Sequence, residues 1–289
     1  AGVRDVILCS PPRSEAGRPS DVLLAAAALC GVDRVFAAGG AGAIAAMAFG
    51  TEIIPRVDLI VGPGNAYVAE AKAQARSVVA TDAPAGPSEL LVITDGSADP
   101  EVIAREMLAQ AEHDDDACVV CIVVGAASAD AVERALRARV FDQPRAATIA
   151  ASLAARGALM AAESLDDAIA FAEAFAPEHL LLAVHDPQAV RERVRNAGTV
   201  LLGESSSVTF GDYLTGANHV LPTAGLARCY SGLSTLDFVR WTTYQRVSPA
   251  AARRLAADVV VLAEAEGLTA HADAARAWAD ADAVEEVTT

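Results

Sequence analysis

The chain has 289 residues, 53% of them hydrophobic but only 4% aromatic. That is room for two packed domains built of helices over parallel strands, and no apolar run reaches the length of a bilayer span. A formal net charge of −16 repels nucleic acid and anionic membranes, and five cysteines (Cys9, Cys30, Cys118, Cys121, Cys229), odd in number and set in apolar stretches, fit a reducing cytoplasm.

Residues 3 to about 76 alternate short apolar bursts with Ala-rich helical stretches. "DVILCS", "DRVFAAG" and "VDLIVG" read as strands, and "SDVLLAAAALCG", "AGAIAAMAFG" and "NAYVAEAKAQAR" as the helices between and after them. That order is the mark of a parallel, doubly wound sheet. After "PAGPS" at 84–88 a second series begins. Its strands are "ELLVIT", "CVVCIVV", "HLLLAV" and "TVLLG"; its helices are "PEVIAREMLAQAE", "ADAVERALRARV", "DDAIAFAEAF" and "PQAVRERVRNA". Residues 203–233 break the rhythm with Gly, Ser, Thr and Pro, and long irregular loops are usually functional. "SPAAARRLAADVVVLAEAEG" and "LTAHADAARAWAD" then carry helical spacing to the end. The expected organisation is an α/β domain over 1–87, a second over 88–232 and a helical tail over 233–289.

Gln110 and His113 sit three apart near the end of a helix, a spacing that puts both on one face. Imidazole suits zinc and an amide oxygen is a harder ligand beside it; a surface Gln and His would look the same. Glu112, Asp114, Asp115 and Asp116 beside them read as a solvated turn. "FAPEHLLL" sets Glu178 and His179 after a proline as a strand begins, either as equipment for proton transfer or as a cap and a strand-edge histidine. "FGDYLTGANH" puts Asp212, Asn218 and His219 in the irregular segment, with Asp212 a metal ligand or an Asx turn.

In the tail, "EGLTAH" holds Glu266 and His271, where a helix start capped by Thr269 is the plain alternative. Gly62-Pro63-Gly64-Asn65 joins a strand to a helix whose N-terminus favours an anion such as a pyrophosphate, although any tight βα turn has this form. Gly40-x-Gly42-x-x-Ala45 has the shape of a dinucleotide fingerprint, which Ala/Gly-rich sequence also reaches by chance. Cys118-x-x-Cys121 falls in a strand, where residues three apart face opposite ways, and reads as packing rather than a metal site.

The order of these motifs is more specific than any one of them. "VDLIVGPGNAYVAEAKAQ", "APAGPSELLVI", "MLAQAEH", "FAPEHL", "NAGTVLLGE", "FGDYLTGANHVLPT", "YSGLS" and "EGLTAH" together resemble the histidinol dehydrogenase family, from residue 1 to about 280. The resemblance implies a zinc ion on Gln110, His113, Asp212 and His271, with His271 coming from a partner subunit. It implies substrate contacts at Ser88, Gln110, His113, His179, Asp212, Glu266 and His271, and an acid-base pair of Glu178 and His179. NAD contacts fall on Asn65 and position 42, where the family has Gln in "GGAQAIAAL" and this chain has Gly42.

The implied reaction is two successive oxidations, L-histidinol through the aldehyde to L-histidine, using two NAD, in a cytoplasmic homodimer. The first third of the family pattern is missing from this sequence, so two incomplete Rossmann-like α/β domains and a fragment of a longer enzyme are expected. Two alternatives stay open: a paralogous zinc and NAD dehydrogenase of another small polar alcohol, and a non-catalytic zinc-binding fragment.

Overall fold

The computed structural model describes residues 1–13 and 17–279. It divides into a compact unit, Ala1–Val239, and a second that begins at Arg240. The first unit opens with β1 (Ile7–Cys9), α1 (Asp21–Leu29), β2 (Arg34–Phe36), α2 (Gly40–Phe49), β3 (Leu59–Ile60), α3 (Ala66–Ala75) and β4 (Ala80–Thr81). The alternation expected is present and parallel, but it is shared between two two-stranded sheets, β1 with β2 and β3 with β4, rather than one. Both ladders are only two or three residues long and mostly half-exposed. Their small core is Ile44, Ala48, Ile60, Ala75 and Val79.

The larger part of this unit is built on β5 (Glu89–Thr94), α4 (Pro100–Ala111), β6 (Cys118–Val124), α5 (Ala126–Arg139), α6 (Ala146–Arg156), β7 (Gly157–Ala162), α7 (Leu165–Phe175), β8 (His179–Ala183), α8 (Pro187–Arg191) and β9 (Thr199–Leu202). All five strands are parallel, in the order β7-β6-β5-β8-β9. α6 and β7 are additions to the elements expected; "GALMAA" is rich in residues that strands avoid, which hid β7.

Leu90 and Val92 face one core with Ile103 and Met107 of α4, and Leu91 and Ile93 face the other with Ala168 and Ala172 of α7. Burial on both faces is why "ELLVIT" reads as a nearly continuous apolar run. Cys121 belongs to the first core while Cys118 packs on the second, so the pair does point to opposite faces. Burial pushes the Cys121 thiol up to about 12.

The chain winds outward from β5 to β7 and then returns to β8 on the other flank of β5, so the switch point lies between β5 and β8. Ligands in such sheets usually bind at the strands' carboxyl ends. Here the candidate residues Ser88, Glu178 and His179 lie at the amino ends of β5 and β8, and α4, returning from β5, delivers its C-terminus toward that same edge.

The irregular stretch expected over 203–233 contains a short helix, α9 (Val208–Tyr213), and a 3-10 turn at Leu226–Arg228. In the second unit, α10 (Pro249–Ala265) and α11 (Thr269–Ala279) pack as a hairpin over Ala256, Ala263 and Ala272. Gly267, at φ +72°, lets the chain turn: its N–H reaches Glu264 O at 3.0 Å and that of Leu268 reaches Ala263 O at 2.8 Å, the paired bonds of a glycine-terminated helix. No helix among the described residues is long and apolar enough to cross a membrane.

Candidate metal and proton-transfer site

The first residues of β5 and β8 clasp one another. Glu89 N–H donates to Glu178 Oε2 at 2.8 Å, and Glu178 N–H donates to Glu89 Oε2 at 3.3 Å. On the other side, Glu178 O accepts from Thr199 N–H at 2.9 Å. β9 comes so near that a Cβ at Gly198 would stand 2.6 Å from Glu178 O. Glu178 and His179 are thereby held at 6% and 7% exposure.

His179 Nδ1 lies 3.0 Å from Glu89 O and 3.5 Å from Glu178 Oε2. A carbonyl only accepts, so Nδ1 carries the proton and Nε2 is the basic nitrogen of the neutral ring. Burial pulls the imidazole pKa down, but the hydrogen bond and charge of Glu178, the Glu89 carbonyl and the charge of Asp212 outweigh it, and His179 holds its proton above the ordinary value.

Nε2 of His179 faces Asp212 Oδ1 at 3.7 Å, and the other oxygen of Asp212 lies 3.9 Å from His113 Nε2. One carboxylate therefore spans both histidines. Asp212 sits on α9, not in an irregular loop, and makes no Asx turn; Asn218 does, accepting Val220 N–H at 2.7 Å. His219 is exposed. α4 stops at Ala111 with Glu112 as its cap, so His113 rides on the turn that follows rather than on the helix itself. Its N–H bonds Gln110 O at 3.3 Å, which keeps it on the turn beside Gln110.

Gln110 is 1% exposed, and its Oε1 and Nε2 are the buried side-chain polar atoms without a hydrogen-bond partner among the described residues. A buried amide left unpaired costs about 1–3 kcal/mol. The amide oxygen, an imidazole and a carboxylate at this corner form a donor set that suits zinc, so the residues fit the metal. Asp114, Asp115 and Asp116 are an exposed acidic turn, with Asp114 Oδ1 accepting Asp116 N–H at 3.1 Å. Ser88 is half-buried at the start of β5 and its carbonyl accepts Cys118 N–H at 2.9 Å. Glu266 caps α10 and His271 stands in the first turn of α11, both exposed in the second unit.

Asn65 caps α3, its Oδ1 accepting Val68 N–H at 3.2 Å. With that oxygen engaged, the amide NH2 is the group Asn65 offers a ligand. The loop before it is pinned by a buried ion pair: Lys72 Nζ lies 2.7 Å from Asp82 Oδ1 and 2.5 Å from Gly62 O, while Asp82 Oδ2 accepts Gly62 N–H at 2.8 Å. Gly42 lies in the first turn of α2, and a Cβ there, or at Gly40 or Gly62, would meet no atom within 4 Å. All three positions face open space, with no side chain of this region in a ligand's way.

Sequence reasoning passed over Glu89. Burial raises its pKa against the N–H groups of Ala224 and Glu178, which lower it. An acid opening an otherwise buried apolar strand was the available signal.

The histidinol dehydrogenase family model matches residues 1–278. The histidinol dehydrogenases of Methanosarcina barkeri and Chromobacterium violaceum are each 46% identical to it, over 96% and 95% of this chain and 63% of their own length. The crystal structure of histidinol dehydrogenase from Elizabethkingia anophelis superposes with a TM-score of 0.92 at 38% identity, over 97% of this chain and 65% of that one. An acetylating aldehyde dehydrogenase from Geobacillus thermoglucosidasius, at 12% identity and a TM-score of 0.52, over 84% of this chain and 70% of its own, shares the fold alone. This chain thus spans somewhat under two thirds of the length of the histidinol dehydrogenases it matches, and along nearly all of its own length it belongs to the histidinol dehydrogenase family.

Proposed function

We propose that the chain carries the zinc- and NAD-dependent oxidation of L-histidinol to L-histidine, in two steps through the aldehyde. The observation that carries this reading is the buried, unpartnered amide of Gln110 beside the line His113, Asp212, His179 and Glu178, whose successive gaps are 3.9, 3.7 and 3.5 Å. Gln110, His113 and Asp212, with His271 of the partner subunit, would hold zinc, which supplies charge stabilisation and a template for the substrate's amine and imidazole nitrogens. Asn65 and the first turn of α2 would hold NAD, which when bound would supply the hydride acceptor.

His179 does the proton work of the first step. Its Nε2 takes the substrate hydroxyl proton as hydride leaves the carbinol carbon, and Nδ1, held on Glu89 O, keeps the ring in the tautomer that can do so. In the second step Glu178 takes a proton from the water that adds to the aldehyde, giving a hydrated form whose oxidation yields the carboxylate. Ser88 and Glu266 contact the substrate. In this reading residues 1–87 form the cofactor domain and 88–232 the domain of the metal and the acid-base pair. The tail, 233–289, serves the second copy of a cytoplasmic homodimer.

Support for the exchanged tail comes from the second unit itself. Its helices leave Leu255, Val259, Val261, Leu262 and Trp278 exposed, more apolar surface than a hairpin keeps without cover. Mixing His271→Ala chains with His179→Ala chains then restores part of the activity, because one mixed site keeps both histidines. No recovery in confirmed mixed dimers contradicts the exchange.

The decisive test is NADH formed per L-histidinol consumed by the purified chain with zinc, with and without a chelator. Two NADH per substrate, lost on chelation, is the expected result. No NADH from a folded, zinc-loaded chain transfers the assignment to a non-catalytic zinc-binding piece. Turnover of other small polar alcohols but not L-histidinol makes the chain a paralogous dehydrogenase.

A further inference from the structure

One turn before Gln110, α4 buries a second polar residue that neither proton transfer nor metal ligation uses. Glu106 is 6% exposed, one of the buried residues of α4 with Ile103 and Met107. Its Oε2 accepts a hydrogen bond from Val208 N–H at 3.0 Å, across 102 residues of sequence. A carboxylate taken out of water is costly unless it is well bonded, and an apolar residue would fill this place in the core more cheaply.

The partner explains the position. Val208 is the first residue of α9, the six-residue helix that carries Asp212. The first N–H groups of a helix have no partners within it; Ser207 Oγ takes that of Thr209 at 3.3 Å, and Glu106 takes that of Val208. Asp212 follows Val208 by four residues, as Gln110 follows Glu106, so each pair shares one side of its helix. The hydrogen bond from Val208 N–H to Glu106 thus ties α9 to α4, and Asp212 Oδ2 comes within 3.9 Å of His113 Nε2 on the turn that follows α4.

We propose that Glu106 is the positioning residue of the zinc site. It fixes α9 on α4, and that sets where the Asp212 carboxylate stands relative to Gln110, His113 and His179. The inference rests on the reading of Gln110, His113 and Asp212 as metal ligands and adds a residue behind them that touches no metal. Partners of this kind orient ligands, and their loss typically costs roughly 10- to 100-fold in metal affinity.

The test is zinc affinity of the full chain, by competition with a chromogenic chelator, for the wild type, Glu106→Ala and Glu106→Gln. Thermal unfolding of each metal-free chain is followed in parallel. Glu106→Ala is expected to weaken zinc binding by roughly 10- to 100-fold. Glu106→Gln keeps an oxygen to accept Val208 N–H and is expected to stay within about threefold of wild type. Where Glu106→Ala does not fold, Glu106→Asp, whose acceptor falls short by one methylene, is expected to weaken zinc in the same direction. A folded Glu106→Ala or Glu106→Asp chain with wild-type zinc affinity overturns the inference while leaving the metal site standing. A folded wild-type chain that takes up no zinc overturns the metal site and the inference with it.

Discussion

Gln110 and Asn65 are both carboxamides at helix ends, one closing α4 and the other opening α3, and they stand in opposite conditions. Asn65 is exposed, and its oxygen is engaged by Val68 N–H in an ordinary cap. Gln110 is fully buried with both amide atoms unpartnered. The cap accounts for Asn65 without any ligand. The buried amide has no such account, because an unpaired polar group in a core costs stability unless something outside the chain pairs with it. Candidate ligands are separated better by what they lack in the folded chain than by residue type.

The sharpest way to press this contrast is at the proton-transfer end of the Gln110 region. His179→Ala removes the nitrogen proposed to take the hydroxyl proton, and kcat is expected to fall by roughly 10²- to 10⁴-fold, with zinc content by atomic absorption unchanged. A variant that loses its zinc as well would move His179 from proton transfer to metal binding.

Next in size is the cap. Asn65→Ala is expected to cost about 1 kcal/mol of stability in urea unfolding, whereas Asn65→Asp, which keeps the acceptor, costs little. If the Asn65→Asp variant remains as stable as wild type but binds NAD far more weakly, the amide NH2 is the cofactor contact and the capping oxygen is not.

The smallest effects are in the titrations. In the metal-free chain His179 is expected to titrate above the ordinary imidazole value, since the Glu178 and Asp212 carboxylates and the Glu89 carbonyl outweigh its burial. Its NMR midpoint reads this directly, and a midpoint below that of a free imidazole would contradict the geometry around Nδ1. The folded state then holds this proton longer than the unfolded chain, so the stabilisation is complete below the unfolded pKa and fades as pH rises through the folded one. Glu89 also has a raised folded pKa, chiefly from burial. Its contribution likewise declines as pH climbs past the ordinary carboxylate value, and Glu89→Gln should flatten that part of the stability profile.

Much of this was legible in the residues. Strand and helix alternation pointed to the parallel α/β class, because "ELLVIT" and "CVVCIVV" are buried on both faces and say so in their composition. Gln110 was legible in part: it follows Ile103 and Met107 on the buried stripe of α4, and a polar residue there asks for a partner. Asp212 was found but placed in a loop, since the six residues of α9 are too few to show a helical period. β7 stayed hidden because its alanines and glycine carry little strand preference. The clasp of Glu89 with Glu178 could not be read at all. It depends on β8 returning to the flank of β5, a matter of topology that no local pattern records.

The most direct measurement is thermal unfolding of the wild type and Gln110→Leu, each with and without zinc. If Gln110 is kept for a metal, Gln110→Leu unfolds at a higher temperature than wild type when metal-free, because a buried unpaired amide has been replaced by a side chain of similar volume. The same variant then loses most of the rise that zinc gives the wild type. A Gln110→Leu chain that is less stable without metal, and still gains the full wild-type rise with zinc, would contradict the metal role of this amide.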